Sequence, residues 1–191
     1  LIGVGVIGLV FLVKIVFFPP APKDDSLVDE IEVIDEENKE APIEMDATSS
    51  STIPSSQGLT YTAANAIDGN LFTWWSPKQN PKGEEWLRIT FDRTAYISSI
   101  KIHGGSHYPN YSYKEKHFGD LYYMNLRVKQ ARLEFSDGSY QVITLRDEDY
   151  IQEIMLDESV TTSYVKIIPI SSYRQVGGWD DYCISEVDFT F

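Results

Sequence analysis

From Leu59 onward the sequence consists of short runs of alternating apolar and polar residues that are separated by turn residues. Alternation with a period of two predicts β-strands with one buried face, and no ten-residue segment here carries the 3.6-residue apolar stripe of a helix. Seven strands are predicted, at residues 85–91, 96–103, 128–135, 140–145, 150–156, 163–170 and 184–191. Such a set suits a small sandwich, so the expected fold class of residues 57–191 is all-β.

The clearest predicted pairing is a hairpin between residues 131–135 and 140–144, whose apolar side chains alternate on both sides of a short connection. The connection, residues 136–139, contains Asp137-Gly138. Because a glycine readily takes the positive φ that a tight hairpin turn needs, this dipeptide favours direct antiparallel pairing of the two runs.

Residues 104–123 form the longest interruption in the strand pattern. They are too polar for a simple hairpin and hold five tyrosines, two histidines and one phenylalanine. Long ordered loops of this kind often carry function, so this segment is the first place to look for a ligand.

The N-terminal residues 1–18 are apolar except for Lys14, and Pro19-Pro20 ends the run. The run is close to the length of a membrane span, so we expect a single transmembrane helix that anchors the chain in the cell membrane. An uncleaved or partly truncated signal sequence is the alternative.

Residues 19–56 are predicted to form a disordered acidic linker. Eleven Asp and Glu residues lie between Asp24 and Asp46, and a stretch rich in Ser and Thr follows at residues 48–56. Such a composition buries too little apolar surface to offset the entropy of ordering the chain. An acidic flank also disfavours retention in the cytoplasm, so residues 57–191 are expected to be extracytoplasmic.

The charge is concentrated in the linker. Residues 1–56 carry 3 Lys and 11 acidic residues, a net −8, which leaves −5 of the total −13 for residues 57–191. With no basic stripe, nucleic-acid binding is not expected. The single cysteine, Cys183, excludes an intrachain disulfide and is expected to be buried and unreactive.

Three motifs, in this order, resemble a known family. Residues 65–75, NAIDGNLFTWW, match the A-x-D-G-x-x-x-T-x-W opening of discoidin, or factor V/VIII type C, domains. NLRVK at residues 125–129 with FSDG at 135–138, and DDYCISEVDF at 180–189, are similar to the bacterial NAD glycohydrolase translocation subgroup. The resemblance implies a galactose-binding-like jelly-roll sandwich that binds glycans.

The resemblance further implies a structural Ca²⁺ ion. In related domains it is held at the positions that fall here on the carbonyls of Asn65, Asn70 and Ser185, the side chains of Asp68 and Glu186, and Thr73. Oxygen ligands of this kind suit Ca²⁺. The alternative is that Asp68 and Glu186 only cap the loop through hydrogen bonds to backbone N–H groups.

Sugars are held by aromatic faces and by polar groups that bind hydroxyls, and loops supply both. The predicted ligand-binding residues are Trp179, Tyr108, Tyr111, Tyr113, His107, Arg174 and Trp75. For Trp75 the resemblance also offers a place inside the sandwich. Arg127 is either a further ligand group or a strand residue that pairs with an acid.

No catalytic residues are predicted, since the sequence holds no nucleophile elbow, H-E-x-x-H helix or phosphate loop. His103 and His107 have a weakly metal-like spacing, but the glycines and proline around them argue against a helix. The leading hypothesis is a membrane-anchored module that recognises carbohydrate or another cell-surface ligand. The rival is an assembly subunit of a membrane complex, in which Gly3, Gly5 and Gly8 permit close helix packing.

Overall fold

The computed structural model describes residues 41–78, 84–176 and 178–191. The predicted anchor at residues 1–18 and the linker up to residue 40 lie outside the described residues. In the part of the chain that is described, no helix is long and apolar enough to cross a membrane.

The described residues are almost entirely strands and loops. In chain order the elements are β1 (Met45–Ser49), a 3₁₀ turn (Ala63–Ala66), β2 (Leu87–His103), β3 (Tyr111–Tyr113), β4 (Lys116–Gly119), α1 (Leu121–Met124), β5 (Leu126–Phe135), β6 (Tyr140–Thr144), β7 (Gln152–Tyr173), β8 (Tyr182–Cys183) and β9 (Glu186–Thr190). The main sheet has the order β1-β2-β7-β5-β6, with β9 beside β2 and β8 beside β5. β3 and β4 form a separate small hairpin within the long loop predicted at residues 104–123.

The linker prediction is wrong for residues 45–49, because they form strand β1. β1 pairs antiparallel with β2, from Met45 opposite Phe91 to Ser49 opposite Leu87. Met45 and Ala47 pack against the core. The acidic and hydroxyl residues that favour a linker here are the exposed half of an alternating edge strand, so composition concealed the pattern. The folded domain therefore begins well before residue 57.

Four of the predicted strands merge into two long ones. β2 joins the runs predicted at 85–91 and 96–103, and β7 those predicted at 150–156 and 163–170, each strand starting two residues later than its first run. Their mutual register shifts between Thr90 and Ala95 and again between Ile97 and Ser99. Such irregularities bend a strand without ending it, which lets the sheet fold over its own apolar face as a sandwich.

The predicted hairpin is confirmed. β5 and β6 pair antiparallel with Leu133 opposite Gln141, and Gly138 has a φ of +86°. The Asp137 carboxylate accepts a hydrogen bond from the Ser139 N–H at 2.9 Å, which fixes the turn.

The main hydrophobic core, called here the sandwich core, is built from the inward-facing residues of the strands. Its largest fully buried members are aliphatic and aromatic side chains from β2, β5, β6 and the segments that flank them: Trp75, Leu87, Ile89, Ile97, Ile100, Ile102, Leu133, Ile143, Leu145 and Tyr182. Cys183 is buried as expected, and burial raises the pKa of its thiol. Its side chain belongs to a second apolar cluster, which lies among the loops.

Candidate carbohydrate-binding site

The second cluster is built mostly from aromatic loop residues. We call it the loop-end aromatic cluster, and its aromatic members are Tyr61, Trp74, Tyr108, Tyr111, Tyr113, Phe118 and Trp179. Several rings meet edge to face or tilted, with centroids 4.9 Å apart for Tyr108 and Tyr111 and 5.6 Å apart for Phe118 and Trp179. These spacings are those of favourable aromatic pairs. Rings from four separate segments of the chain, one of them the β3–β4 hairpin, are therefore packed together outside the main sheet.

A pocket of about 100 Å³ opens in this cluster. Its lining consists of Ile53, Ser56, Gln57, Leu59, Tyr61, Trp74, Tyr111, Leu121, Asn125, Trp179 and Asp181. We call it the loop-end pocket. It combines aromatic walls with a small number of polar groups, which is the usual make-up of a small-ligand site.

One rim of the pocket is a tight turn centred on Gln57 and Gly58. Both residues have positive φ, +52° and +80°, and Ser56 and Leu59 exchange backbone hydrogen bonds of 3.1 and 2.8 Å. The Tyr111 hydroxyl donates a hydrogen bond to the Gln57 carbonyl oxygen. The turn is thereby tied to the buried Tyr111 ring, which gives the rim a fixed position.

Another part of the pocket lining is Trp179, which is partly exposed. Its backbone N–H donates to the Met124 carbonyl oxygen at 2.9 Å, so the loop is fastened to α1. A Cβ atom on Gly178 would lie 2.0 Å from that same carbonyl oxygen. Only glycine allows this close approach, and the approach sets the position of the Trp179 ring.

The polar side chains of the pocket differ in whether they already make hydrogen bonds within the protein. Asn125 is buried, and its amide donates to the Ser106 hydroxyl at 3.0 Å and to the Leu121 carbonyl at 3.1 Å. Burial, and the neighbouring Asp180 carboxylate, raise the pKa of Asp181. Asp181 is thus a partly dehydrated carboxylate that gains from a hydroxyl donor.

Among the predicted ligand residues, the structure brings Trp179 and Tyr111 together in the pocket. Tyr108 and Tyr113 pack in the surrounding cluster without lining the pocket. Arg174 is exposed and also stands outside the pocket lining; its carbonyl oxygen accepts a 2.8 Å hydrogen bond from Arg127. Of these predicted residues, the structure thus places two in the pocket lining, and their role in ligand binding stays a prediction.

The assignment of Trp75 to the ligand surface is wrong. Its backbone pairs with Ile184 through two hydrogen bonds of 2.9 and 3.1 Å, which places its side chain on the inner face. The ring is fully buried, and its indole N–H donates to the Ser51 carbonyl at 3.0 Å. Since consecutive residues of an extended chain point to opposite sides, Trp74 faces the loops and Trp75 the sandwich core.

Arg127 connects the sheet to the loops, as the second of its two predicted roles implies. Its Nε and Nη2 donate to the two carboxylate oxygens of Asp147, both at 2.8 Å. Nη1 donates to the carbonyls of Asn125 at 3.1 Å and Arg174 at 2.8 Å. The guanidinium is nearly fully buried, so it stabilises the loops through these hydrogen bonds and is not a ligand group.

His107 lies in a different cluster, beside His103 and Asp149. The two histidine rings reach the same carboxylate: His103 Nε2 is 2.9 Å from Oδ1 of Asp149, and His107 Nδ1 is 3.0 Å from it. Burial lowers the pKa of His103. The exposed Phe72 ring stands 5.3 Å from the His107 ring and 5.3 Å from Tyr108, which forms a second aromatic patch on the surface.

The family of the chain follows from a comparison of its sequence with protein-family models. The model described as NAD glycohydrolase translocation F5/8 type C domain matches residues 38–190. The chain belongs to this family. The matched range starts ahead of β1, in agreement with a domain that begins before residue 57. Among curated proteins, no match to this translocation domain is found.

Solved carbohydrate-binding structures share the fold of this F5/8 type C domain. The family 32 carbohydrate-binding module of Clostridium perfringens NanJ, in complex with galactose, is 19% identical; the alignment covers 76% of this chain and 92% of the other, with a TM-score of 0.51. CpGH89CBM32-5 from the same species, in complex with GalNAc-β-1,3-galactose, has 17% identity, 76% and 94% coverage and a TM-score of 0.53.

A fucolectin from striped bass serum is 18% identical, with 76% coverage of this chain, 46% of the other and a TM-score of 0.51. At such identities the likeness establishes the fold alone, which is the galactose-binding-like β-sandwich that was predicted.

The residues for which the family resemblance implies calcium lie around one loop of the F5/8 type C domain. Asp68 accepts hydrogen bonds from the Asn70 N–H at 2.9 Å and the Thr73 hydroxyl at 2.7 Å, so the capping role left open by the sequence is present. The Asn65 side chain turns inward and donates to the Thr60 carbonyl at 2.7 Å.

Glu186 adds a second carboxylate to this loop, and backbone hydrogen bonds from Gly69 and Val187 stabilise it only in part. Among the described residues its Oε2 is buried without a hydrogen-bond partner. Burial and the neighbouring Asp68 carboxylate raise its pKa to about 7. A buried carboxylate oxygen with no donor, beside a second carboxylate, is the arrangement that a hard cation stabilises. The residues present thus fit a calcium ion.

Several site residues were missed by the sequence reasoning. Gln57 and Tyr61 lie at the start of the predicted domain, ahead of its first predicted strand, although Gly58 is a turn signal that could have identified the rim. Asp149 joins the two histidines from more than forty residues away along the chain, as the separations of 46 and 42 residues show. Local patterns carry no information on such a contact.

Proposed function

We propose that this translocation F5/8 type C domain binds carbohydrate through the loop-end pocket, with the Trp179 ring as the stacking face. The observation that carries the proposal is the pocket itself, whose lining combines a partly exposed tryptophan, a tyrosine-braced turn and a partly buried carboxylate. Carbohydrate rings present an apolar C–H face and equatorial hydroxyls, and this pocket has a partner for each. Binding, not catalysis, is the proposed activity.

The pocket favours a neutral sugar over an acidic one. Asp181 lines it and Asp180 lies next to it, so a sugar carboxylate would meet two negative charges. A neutral hexose instead brings hydroxyl donors to the Asp181 oxygens. The galactose and GalNAc complexes of the similar structures lend support to terminal neutral sugars as the first ligands to test.

The calcium ion belongs to the same proposal as a structural cofactor. Asp68, Glu186 and Thr73, with the carbonyls of Asn65, Asn70 and Ser185, would hold it. When bound, the ion would offset the negative charges of Asp68 and Glu186. It would also hold the loop that carries Phe72 in one conformation. The test is the melting temperature of the chain in calcium and in EDTA. A higher melting temperature in calcium, lost in Glu186→Gln, is expected, and identical curves would contradict the calcium site.

The membrane context extends the proposal beyond the described residues. An N-terminal anchor and an acidic tether would hold the domain outside the cytoplasm. Many tethered copies on one surface act together, so a weak affinity at each pocket would suffice. Under the rival hypothesis the same loops bind a partner protein within a membrane complex.

The experiment is glycan binding by the full chain in mild detergent, on a broad glycan panel and then by titration with the best ligands. Trp179→Ala should weaken binding at least about tenfold, equivalent to roughly 1.4 kcal/mol. Tyr140→Ala is the matched control, because Tyr140 is an exposed aromatic residue on the β5–β6 hairpin. It should leave binding unchanged.

A third variant, Phe72→Ala, separates the two aromatic patches. Loss of binding in Phe72→Ala with full binding in Trp179→Ala would move the site to the patch beside His107. No signal on the panel, together with a partner protein that co-purifies in fixed stoichiometry, would favour the assembly hypothesis.

A further inference from the structure

Three metal-binding side chains from separate parts of the fold meet at one point. His103 is the last residue of β2, His107 follows in the loop, and Asp149 comes from the connection between β6 and β7. Their candidate ligand atoms all lie within 4.8 Å of one another. We call this the His/Asp cluster. It shares no residue with the lining of the loop-end pocket.

The hydrogen-bond geometry of His103 requires a cation or an extra proton. Its Nδ1 lies 3.2 Å from the Gly105 carbonyl oxygen, and its Nε2 lies 2.9 Å from Oδ1 of Asp149. Both neighbours are oxygen acceptors. A neutral imidazole carries a single N–H, so it satisfies one of them and directs a nitrogen lone pair at the other. The side chain is fully buried, so water does not relieve this conflict.

A metal ion on Nε2 resolves the conflict. The Nδ1–H would then donate to the Gly105 carbonyl, which is the usual outer partner of a metal-bound histidine, and the Nε2 lone pair would face the ion. Oδ1 and Oδ2 of Asp149, 3.0 and 3.1 Å from His107 Nδ1, would provide the oxygen ligand beside the second imidazole.

We propose that His103 Nε2, His107 Nδ1 and the Asp149 carboxylate form a binding site for a divalent transition-metal ion of the zinc type. Two imidazoles and one carboxylate are the donors that zinc accepts, with nitrogen and oxygen ligands at about 2.0–2.2 Å. In tetrahedral geometry such ligands stand roughly 3.3 Å apart. The nitrogen–oxygen separations of 2.9–3.1 Å differ from this by a few tenths of an ångström, and the two histidine nitrogens lie within 4.8 Å of each other.

The cluster also has an open side. His107 and Asp149 retain 27% and 20% of their side-chain exposure, whereas His103 has none. Solvent therefore reaches the site from the His107 side, where a fourth ligand such as water would complete the coordination. The exposed Phe72 ring lies over this side, 5.3 Å from the His107 ring.

The test is direct metal binding by the full chain. Zinc affinity and stoichiometry are measured by competition with a chromophoric chelator, and Co²⁺ serves as a spectroscopic probe, since tetrahedral cobalt with mixed nitrogen and oxygen ligands gives a visible absorption band. One Zn²⁺ per chain is expected. His107→Ala and Asp149→Asn should each lower the affinity at least about tenfold and abolish the cobalt band.

The matched control is His117→Ala, because His117 is the remaining histidine and is exposed on β4. It should retain both the zinc affinity and the cobalt band. Circular dichroism checks that each variant is folded, and His107 is preferred to the fully buried His103 for this reason. Zinc binding that is absent, or that is equally strong in all three variants, would overturn the proposal, the latter pointing to the acidic linker as the ligand. A protonated His103 paired with Asp149 would account for the first outcome.

Discussion

The sandwich core and the loop-end aromatic cluster both bury apolar surface, but they are built from different kinds of side chain. The sandwich core is largely aliphatic and rests on paired strands, whereas the loop-end aromatic cluster is largely aromatic and is held by loops. Trp74 and Trp75 are adjacent in sequence, but Trp74 belongs to the loop-end aromatic cluster and Trp75 to the sandwich core. The rings surround the loop-end pocket, and a more open cavity of about 460 Å³ lies beside the sandwich core, where Met45, Lys101 and Val187 line it. The strands thus bury most of the aliphatic surface, whereas the proposed binding pocket lies among the aromatic rings.

The strongest test of this division compares the two neighbouring tryptophans. Trp75→Ala empties a fully buried site between sheets and should lower the free energy of unfolding by about 3–5 kcal/mol. Trp74→Ala should cost less, since the cavity it creates joins a pocket that is already open to solvent. Urea unfolding of both variants measures the difference.

If the two substitutions lower the free energy of unfolding equally, the two clusters form one cooperative core and are not separate regions.

The same two variants can also be tested for glycan binding. Trp74→Ala should abolish glycan binding by enlarging the pocket, whereas Trp75→Ala at a temperature where it is folded should bind as wild type does.

The contrast also explains how much could be predicted. The strands of the sandwich core follow from alternation, and the β5–β6 hairpin from one Asp-Gly dipeptide, because both are local properties of the sequence. Strand β1 was not predicted, because its exposed positions carry the acidic and hydroxyl side chains that are typical of a linker. The pocket depends on contacts such as Tyr111 with Gln57, 54 residues apart, which no local pattern encodes. Residue type indicated Trp179, and only the fold excluded Trp75.

Arg127 and Asp147 connect the two regions, so breaking this ion pair tests how far they depend on each other. Asp147→Ala leaves a buried guanidinium without its carboxylate. Removal of one partner from a fully buried pair costs about 3–5 kcal/mol, and because Asp147 keeps 35% of its side-chain exposure we expect about 2–3 kcal/mol.

The readout is hydrogen exchange together with thermal melting. Hydrogen exchange should accelerate first in the loop around Arg174, because the Arg127 guanidinium that donates to its carbonyl is no longer held in place by Asp147. Glycan affinity should fall as well. Arg132 offers a control, because its own side chain is 40% exposed; its partner Glu134, on the same strand, also contacts Lys166 at 3.2 Å. Glu134→Ala should change stability by less than about 1 kcal/mol. Uniform exchange across the domain would show that the pair stabilises the whole fold.

A smaller effect is expected from Tyr111→Phe, which keeps the ring in the loop-end aromatic cluster and removes only the hydroxyl. The Gln57 carbonyl then loses its donor, and stability should fall by about 0.5–1.5 kcal/mol. Because the turn at Gln57 and Gly58 forms a pocket rim, the dissociation rate of a bound glycan should rise more than the melting temperature falls. Tyr113→Phe is the control, since Tyr113 lies in the same cluster outside the pocket.

The smallest effect concerns Asp181 and has a definite sign. Burial raises the pKa of Asp181 above its ordinary value of 3.8, so between that value and the folded-state pKa the folded chain holds a proton that the unfolded chain has lost. This group therefore lowers stability as the pH rises through that window. Asp181→Asn removes the penalty and should stabilise the chain by less than about 1 kcal/mol at pH 7, with no gain near pH 3.

Glycan binding should move in the opposite direction, because the substitution exchanges a carboxylate acceptor for an amide. Thermal melts at both pH values, with one glycan titration at pH 7, measure the two effects. A gain in stability combined with a loss of affinity would identify Asp181 as a carboxylate that the pocket retains at the expense of stability, which is the usual relation between a binding site and its scaffold. Parallel changes would instead make Asp181 part of the scaffold, and would return the search for the sugar contacts to Trp179 and the Gln57 turn.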